Sequence, residues 1–241
     1  MKVSLNSRWI RIAAAALAIL ILAAGWAWRT WYAAPVGPEP VEGSPQSIVK
    51  TVDRGMSEEQ LQMFRDRIVT IEATVNDNEA NGTRDISVIL SLANLYYEMG
   101  ELDTAATWYE NILKTNPNDA PALENLGQDL IEQGDYSGAE AAWRKALDIE
   151  AYEPIYLKLA DLIDERFPER TAQVQGVLET AIANLGQTPG LLTRLGQWYA
   201  SQGKLDEAIS HYEVAHQLAP KDESIAAELE ALKRERSRKT K

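Results

Sequence analysis

Residues 86–119 read ISVILSLANLYYEMGELDTAATWYENILKTNPND, and residues 120–152 read APALENLGQDLIEQGDYSGAEAAWRKALDIEAY. The spacing of apolar and small residues that these stretches share also runs through residues 153–188 and 189–222, which makes four windows of about 34 residues. The seventh position of each window is leucine, and the eighth is small: Ala93, Gly127, Ala160 and Gly196. A repeat of this length predicts a fold built by stacking copies of one small unit.

Each window has the spacing of two helices joined by a tight turn. In three windows a glycine at the predicted turn is followed five residues later by alanine, and four residues after that by an aromatic residue. These sets are Gly100, Ala105 and Tyr109; Gly134, Ala139 and Trp143; and Gly203, Ala208 and Tyr212. Small residues at facing positions allow two helices to approach closely, and the large residues fill the space beside them.

This pattern resembles the tetratricopeptide repeat (TPR) family over residues 86–222. The resemblance implies an all-α fold, an α-solenoid of about four helix-turn-helix repeats at 86–119, 120–152, 153–188 and 189–222. The third window departs from the family pattern, because residues 166–170 (RFPER) replace the short turn, and we interpret this as an insertion of about two residues.

Beyond the repeats, residues 223–241 are predicted to form a capping helix with a basic tail. The apolar stripe of this segment is Ile225, Leu229 and Leu232, which suits a helix that covers the open face of the last repeat. The cations of the tail either complement the helix C-terminus or bind an anionic lipid or acidic partner.

The N-terminal region has the pattern of a transmembrane signal anchor within residues 1–32. Residues 12–28 carry no charge, and the flanking Arg11 and Arg29 can snorkel, which extends the apolar stretch to residues 10–31. More cations precede the stretch than closely follow it. The N-terminus is therefore predicted to be cytoplasmic and the body extracytoplasmic, which means a single-pass inner-membrane protein with a periplasmic domain in a two-membrane bacterium. A cleaved signal peptide and a buried core helix are the alternatives.

Residues 33–56 are predicted to be a Pro-rich linker, and residues 57–80 a lead helix. Ser57 and Gln60 fit a capping box at the start of this helix. Its apolar stripe, Leu61, Phe64, Ile68, Ile71 and Val75, is expected either to pack on the first repeat or to form a dimer seam.

The composition argues against several classes of functional site. The absence of cysteine excludes disulfides, thiolate metal sites and thiol catalysis by the chain itself. The only two histidines, His211 and His216, are five residues apart and do not share a helix face, and no phosphate-binding or nucleophile motif is present. The net charge of −12 argues against nucleic-acid binding. We therefore expect no catalytic residue, cofactor or metal.

The resemblance implies that the first helix of each repeat lines a concave groove. The predicted peptide-binding residues there are Asn94, Tyr97, Glu98, Glu124, Asn125, Gln128, Lys158, Asp161, Arg194 and Gln197. This mixed, partly acidic surface suits an extended peptide with some positive charge. The asparagines match part of a chaperone-binding clamp of some family members, but Leu90 and Pro154 stand where that clamp has lysines, which argues against the same function.

The expected function is a membrane-anchored, extracytoplasmic TPR scaffold that binds a protein or peptide segment. Residues 134–144 are similar to TPR subunits of c-type cytochrome maturation, and the architecture is also similar to single-span TPR partners of secretion and envelope-assembly machinery. The alternative is a structural homo-oligomer built from the lead helix and the repeat faces.

Overall fold

The computed structural model describes residues 49–239, which form ten α-helices and one short 3-10 helix. The α-helices are α1 (Glu58–Ala80), α2 (Ile86–Met99), α3 (Leu102–Thr115), α4 (Ala120–Gln133), α5 (Tyr136–Ile149), α6 (Glu153–Arg166), α7 (Ala172–Leu185), α8 (Pro189–Ser201), α9 (Leu205–Leu218) and α10 (Glu223–Lys239). The predicted anchor at 10–31 lies outside the described residues. Within 49–239, no helix combines the length and the apolar character needed to cross a membrane.

Helices α2 to α9 form four successive helical pairs, with α1 packed on α2 at one end and α10 packed on α9 at the other. Helix α2 contacts α4, and α6 contacts α8, which places the first helix of each pair in an inner layer. The predicted all-α fold, a solenoid of helix-turn-helix pairs, is confirmed for this part of the chain.

Local signals at the helix ends explain where the helices begin and stop. At α1 the capping box forms as predicted, because Ser57 Oγ accepts from the Gln60 N–H and Gln60 Oε1 accepts from the Ser57 N–H. Asp85 caps α2 in a similar way, accepting from the backbone N–H groups of Ser87 and Val88. Gly100 ends α2 in the left-handed region at a φ of 85°, a conformation that glycine adopts without a steric penalty.

Close helix packing inside the repeats follows from the small residue at the eighth position. A Cβ atom added at Gly127 would lie 2.3 Å from Trp143 Nε1, and one added at Gly196 would lie 2.7 Å from Tyr212. Trp143 is 3% exposed, and its indole N–H donates to the Glu124 carbonyl at 3.1 Å. The aromatic residue of the second helix therefore packs directly against the backbone of the first.

The insertion in the third repeat forms a 3-10 helix, Pro168–Arg170, which is held by ionic contacts to the second repeat. Arg170 donates to both carboxylate oxygens of Glu140, at 2.5 and 2.8 Å, and its guanidinium lies 4.8 Å from the centre of the Phe167 ring. Burial favours the neutral form of Glu140, yet hydrogen bonds from Arg170 and Arg144 hold the pKa of this acid below its ordinary value. The added residues are thus fixed against the solenoid.

Both ends of the solenoid are covered. The stripe of α1 contacts α2, where Ile68 and Val75 are buried and Tyr96 donates its hydroxyl to Glu72 at 2.7 Å. The apolar stripe of α1, which is predicted either to pack on the first repeat or to form a dimer seam, therefore contacts the first repeat of the same chain. At the other end, the apolar stripe of α10 is buried against α9, and Arg236 pairs with Asp206 at 3.0 Å.

Candidate functional site

The two asparagines of the predicted groove bind each other. Asn125 Nδ2 donates to Asn94 Oδ1 at 2.9 Å, and the same oxygen accepts from the Tyr109 hydroxyl at 2.8 Å. This network joins α2, α3 and α4, and it is buried at Tyr109, which is 1% exposed. The amides therefore hold neighbouring repeats together, a structural role that residue type and position did not reveal.

Charged residues of the predicted groove also pair between successive first helices. Lys158 on α6 contacts Glu124 on α4 at 3.4 Å, and Arg194 on α8 binds Asp161 on α6 at 2.6 Å. Arg194 has a second partner, Asp164, at 2.8 Å. These contacts form a polar ladder along the inner layer, and its partly exposed carboxylates still face solvent.

Other predicted residues keep more of their polar capacity. Glu98 is exposed, and Gln197 is exposed although its side chain forms a hydrogen bond with Tyr212. Gln128 is half-buried without a side-chain hydrogen bond to any described residue. Since Gln128 lies on α4 between the asparagine pair and the end of the helix, its amide can bind the backbone of a ligand in the groove.

An open apolar cavity of about 690 Å³ lies beside Lys158 and Asp161. Its apolar lining consists of Ala151, Tyr152, Pro154, Leu157 and Leu185. Tyr152 is 47% exposed and Leu185 37% exposed, so two large side chains whose burial would be favourable face solvent here. Sequence reasoning missed this cavity. The available signal was a set of apolar residues at the α5–α6 and α7–α8 junctions, outside the repeat positions that form the core.

A second surface is already covered by the chain itself. Residues 49–55, here called the strap, form neither helix nor strand and lie across the ends of α2 and α4 and the start of α3. The Val52 N–H donates to the Gly100 carbonyl at 2.8 Å, the Val49 N–H to the Gln133 carbonyl at 3.0 Å, and the Asp103 N–H to the Lys50 carbonyl at 3.1 Å. The last residues of the predicted linker therefore lie on the repeats.

Arg54 is the principal side-chain anchor of the strap. Its guanidinium pairs with Glu132 at 2.8 Å, donates to the Tyr97 carbonyl at 3.1 Å and lies 5.1 Å from the centre of the Tyr97 ring. The Tyr97 hydroxyl donates to Glu132, and burial, followed by that bond, raises the pKa of Tyr97 to about 12. Of the predicted groove residues, Tyr97 is thus covered by the strap.

A buried acid lies next to the strap. Asp129 is fully buried, and one of its oxygens accepts from Gln133 Nε2 at 2.6 Å, while the other has no partner among residues 49–239. Burial raises the pKa of Asp129 from 3.8 to about 7. In the same part of the chain, no group of three His, Cys, Asp or Glu side chains is placed to hold a metal ion.

Comparisons with family models match the first, second and fourth of the predicted repeats. Tetratricopeptide repeat models match residues 90–154 and residues 189–222. No curated protein sequence matches the chain significantly.

Solved structures share the fold. A crystal structure of MamA is 18% identical, with a TM-score of 0.56, and the match covers 72% of this chain and 98% of that chain. A MamA fragment from Desulfovibrio magneticus RS-1 is 17% identical, with a TM-score of 0.52 and coverages of 63% and 85%. YrrB, described as a TPR protein with an unusual peptide-binding site, is 20% identical, with a TM-score of 0.50 and coverages of 64% and 77%. At these identities the likeness concerns the fold.

Proposed function

We propose that this chain of tetratricopeptide repeats is a membrane-anchored, extracytoplasmic scaffold whose concave groove binds an extended segment of another protein. The observation that carries the proposal is the apolar cavity beside Lys158 and Asp161, lined by the exposed side chains of Tyr152 and Leu185. An apolar cavity with a few polar groups at its edge is typical of a binding site.

The cavity and the ladder together define the ligand that fits best. An aliphatic or aromatic side chain of the ligand would enter the cavity, and a Lys or Arg next to it would face the half-exposed Asp161 carboxylate. Gln128, on α4, which is the first helix of the preceding repeat, would bind the peptide backbone. The description of YrrB as peptide-binding supports the idea that this fold can hold such a ligand.

Anchoring would give the groove its cellular role. The uncharged stretch at 12–28, with tryptophans at its edges, would hold the repeats next to the bilayer and raise their local concentration around membrane-bound partners. The proposed cellular role is to aid the assembly of a membrane-associated complex. Both c-type cytochrome maturation and secretion or envelope assembly fit this arrangement.

Site-specific crosslinking in native membranes tests the groove. A photoreactive residue at Gln128 is expected to trap one or a few foreign proteins through an internal segment or terminus. The same residue at Glu110, exposed on the outer helix α3, serves as the control. Equal trapping from both positions, or trapping of the protein only by itself, would contradict the groove and favour the homo-oligomeric alternative.

Single-cysteine labelling tests the anchor, since the chain contains no cysteine of its own. With Glu59→Cys in the full chain, a membrane-impermeant maleimide is expected to label intact spheroplasts, and the protein should stay with the membrane after carbonate extraction. Labelling only after lysis would place the repeats on the cytoplasmic side, and extraction by carbonate would disprove an uncleaved span.

A further inference from the structure

The strap is bound through groups that helix ends leave unpaired. The last carbonyls and first N–H groups of an α-helix have no partner inside the helix. Here the carbonyls of Gly100 and Gln133, at the ends of α2 and α4, accept from strap N–H groups, and the N–H of Asp103, in the first turn of α3, donates to a strap carbonyl. The repeats therefore bind the strap backbone through helix-end groups, as a peptide receptor would bind its ligand.

Side chains of one strap face add charge and apolar contact. In an extended chain, every second residue points to the same side, so Lys50, Val52 and Arg54 share a face. Val52 and Arg54 are half-buried, whereas Thr51, which precedes Val52, and Asp53, which lies between the two, are exposed. Lys50 pairs with Asp103 at 3.4 Å near solvent, and Arg54 forms the less exposed pair with Glu132.

Gly100 permits the close approach of the strap. A Cβ atom added at this position would lie 1.9 Å from the Val52 carbonyl oxygen, a distance that no side chain can adopt without displacing the strap. Gly203, at the corresponding turn of the fourth repeat, has a similar φ of 73° but nothing within 4 Å of an added Cβ. The two glycines therefore separate the effect of backbone conformation from that of strap contact.

The strap is held by few contacts compared with the helices it touches. It has no hydrophobic core of its own, and its alternate residues face solvent. Segments of this kind open without unfolding the elements beneath them. Opening of the strap would expose the helix-end groups and the carboxylates of Asp103 and Glu132.

We infer that the surface formed by Gly100, Asp103, Glu132 and Gln133, here called the acidic dock, is a second peptide-binding site, and that the strap is its internal ligand. The partner that fits the dock is an extended segment with a basic residue, an apolar residue and an arginine at alternate positions, because the strap presents that pattern in residues 50–54. This site goes beyond the proposed function, since it lies on α2 to α4 and does not use the cavity at α6.

Competition between the strap and a free peptide tests the inference. The probe is a fluorescent synthetic peptide of residues 47–56, and the full chain in detergent is titrated by anisotropy. The wild-type dock should be largely occupied, whereas Arg54→Ala in the chain weakens the strap without altering the dock. We expect the Arg54→Ala chain to bind the probe about tenfold more tightly than wild type, because apparent affinity scales with the open fraction.

The charge requirement is tested in the same assay. Adding Glu132→Gln to the Arg54→Ala chain should weaken probe binding about tenfold, since the half-buried partner of the probe's arginine is lost. Adding Glu110→Gln, an exposed acid of α3 outside the dock, should leave binding unchanged. Equal loss from both changes would overturn the assignment of the dock.

Two glycine variants complete the test. In the Arg54→Ala background, Gly100→Ala should abolish probe binding through the clash with the Val52 carbonyl, whereas Gly203→Ala should retain it. Circular dichroism verifies that both variants keep their helices. No probe binding by the Arg54→Ala chain, or full binding after Gly100→Ala, would overturn the inference. Groove crosslinking from Gln128 is independent of either result.

Discussion

Replacing Gly127 by alanine tests whether the small residue at the eighth position is needed for close helix packing. Alanine favours a helix interior over glycine by about 1 kcal/mol, so propensity alone predicts stabilisation. The structure predicts the opposite sign, because the added Cβ would lie 2.3 Å from Trp143 Nε1. Trp143 is 3% exposed and its N–H is bonded to the Glu124 carbonyl, so the ring has little room to move.

The expected magnitude combines these effects. Overpacking a core costs about 1–3 kcal/mol. Displacing the indole from its hydrogen bond costs about 1 kcal/mol more. After subtraction of the helix-propensity gain, the Gly127→Ala chain should be less stable than wild type by about 1–3 kcal/mol.

Urea denaturation followed by circular dichroism and tryptophan fluorescence measures this difference. Gly176→Ala is the matched control, because Gly176 lies inside α7 with nothing within 4 Å of an added Cβ. That change should stabilise the chain by up to about 1 kcal/mol. If Gly127→Ala proved as stable as wild type or as stabilising as Gly176→Ala, the packing argument for the repeats would be refuted.

Three further predictions concern buried polar groups. Because burial raises the pKa of Asp129 to about 7, the folded chain keeps a proton that the unfolded chain releases near pH 4. The free energy of unfolding should therefore fall as the pH rises from about 4 to about 7. In denaturation series, Asp129→Asn should be more stable than wild type at pH 8, on the order of 3 kcal/mol, and should lose this advantage toward pH 4. Arg170→Leu should lower the free energy of unfolding by about 2–4 kcal/mol because it leaves Glu140 buried without its main partner, and Glu140→Leu added to it should restore most of the loss. Tyr109→Phe should cost about 1 kcal/mol in the same assay, because Asn94 loses a donor.

Each of these predictions has a contradicting result. If the stability of the wild-type chain did not fall between pH 4 and pH 8, or if Asp129→Asn left that fall unchanged, the raised pKa of Asp129 would be contradicted. Additive losses for the Arg170 and Glu140 changes would show that the two residues do not act as a pair. A Tyr109→Phe chain as stable as wild type would mean that the asparagine network does not depend on this hydroxyl.

The helical pairs could be predicted because their signals are local. Leu92, Gly100 and Tyr109 occur at spacings that a single helix-turn-helix unit determines, and the same spacings recur in later windows. Helix starts were equally readable, since Ser57 and Gln60 are neighbours on the first turn of α1. Patterns of this kind need no knowledge of distant contacts.

The contacts that define the surfaces depend on residues far apart in sequence. Arg170 and Glu140 are separated by 30 positions, and Arg54 pairs with Glu132 from a segment predicted to be a spacer. No short-range pattern indicates either pair. Likewise, the positions of Asn94 and Asn125 in the repeats predict that both face the groove, but their mutual hydrogen bond depends on how α2 and α4 approach each other. The cavity at Tyr152 arises at junctions between repeats, where the repeat pattern carries no information.

Binding of the partner segment to the groove, measured with and without the cavity, tests the central claim most directly. The segment trapped from Gln128 would be synthesised as a labelled peptide and titrated with the wild-type, Leu185→Asp and Leu218→Asp chains. Leu185 and Leu218 are each the last residue of a second helix and are both exposed, but of the two only Leu185 lines the cavity. We predict that Leu185→Asp raises the Kd at least about tenfold, because a carboxylate would face the apolar side chain of the ligand, and that Leu218→Asp leaves the Kd unchanged. Equal Kd values for all three chains would contradict a groove that binds its partner through this cavity.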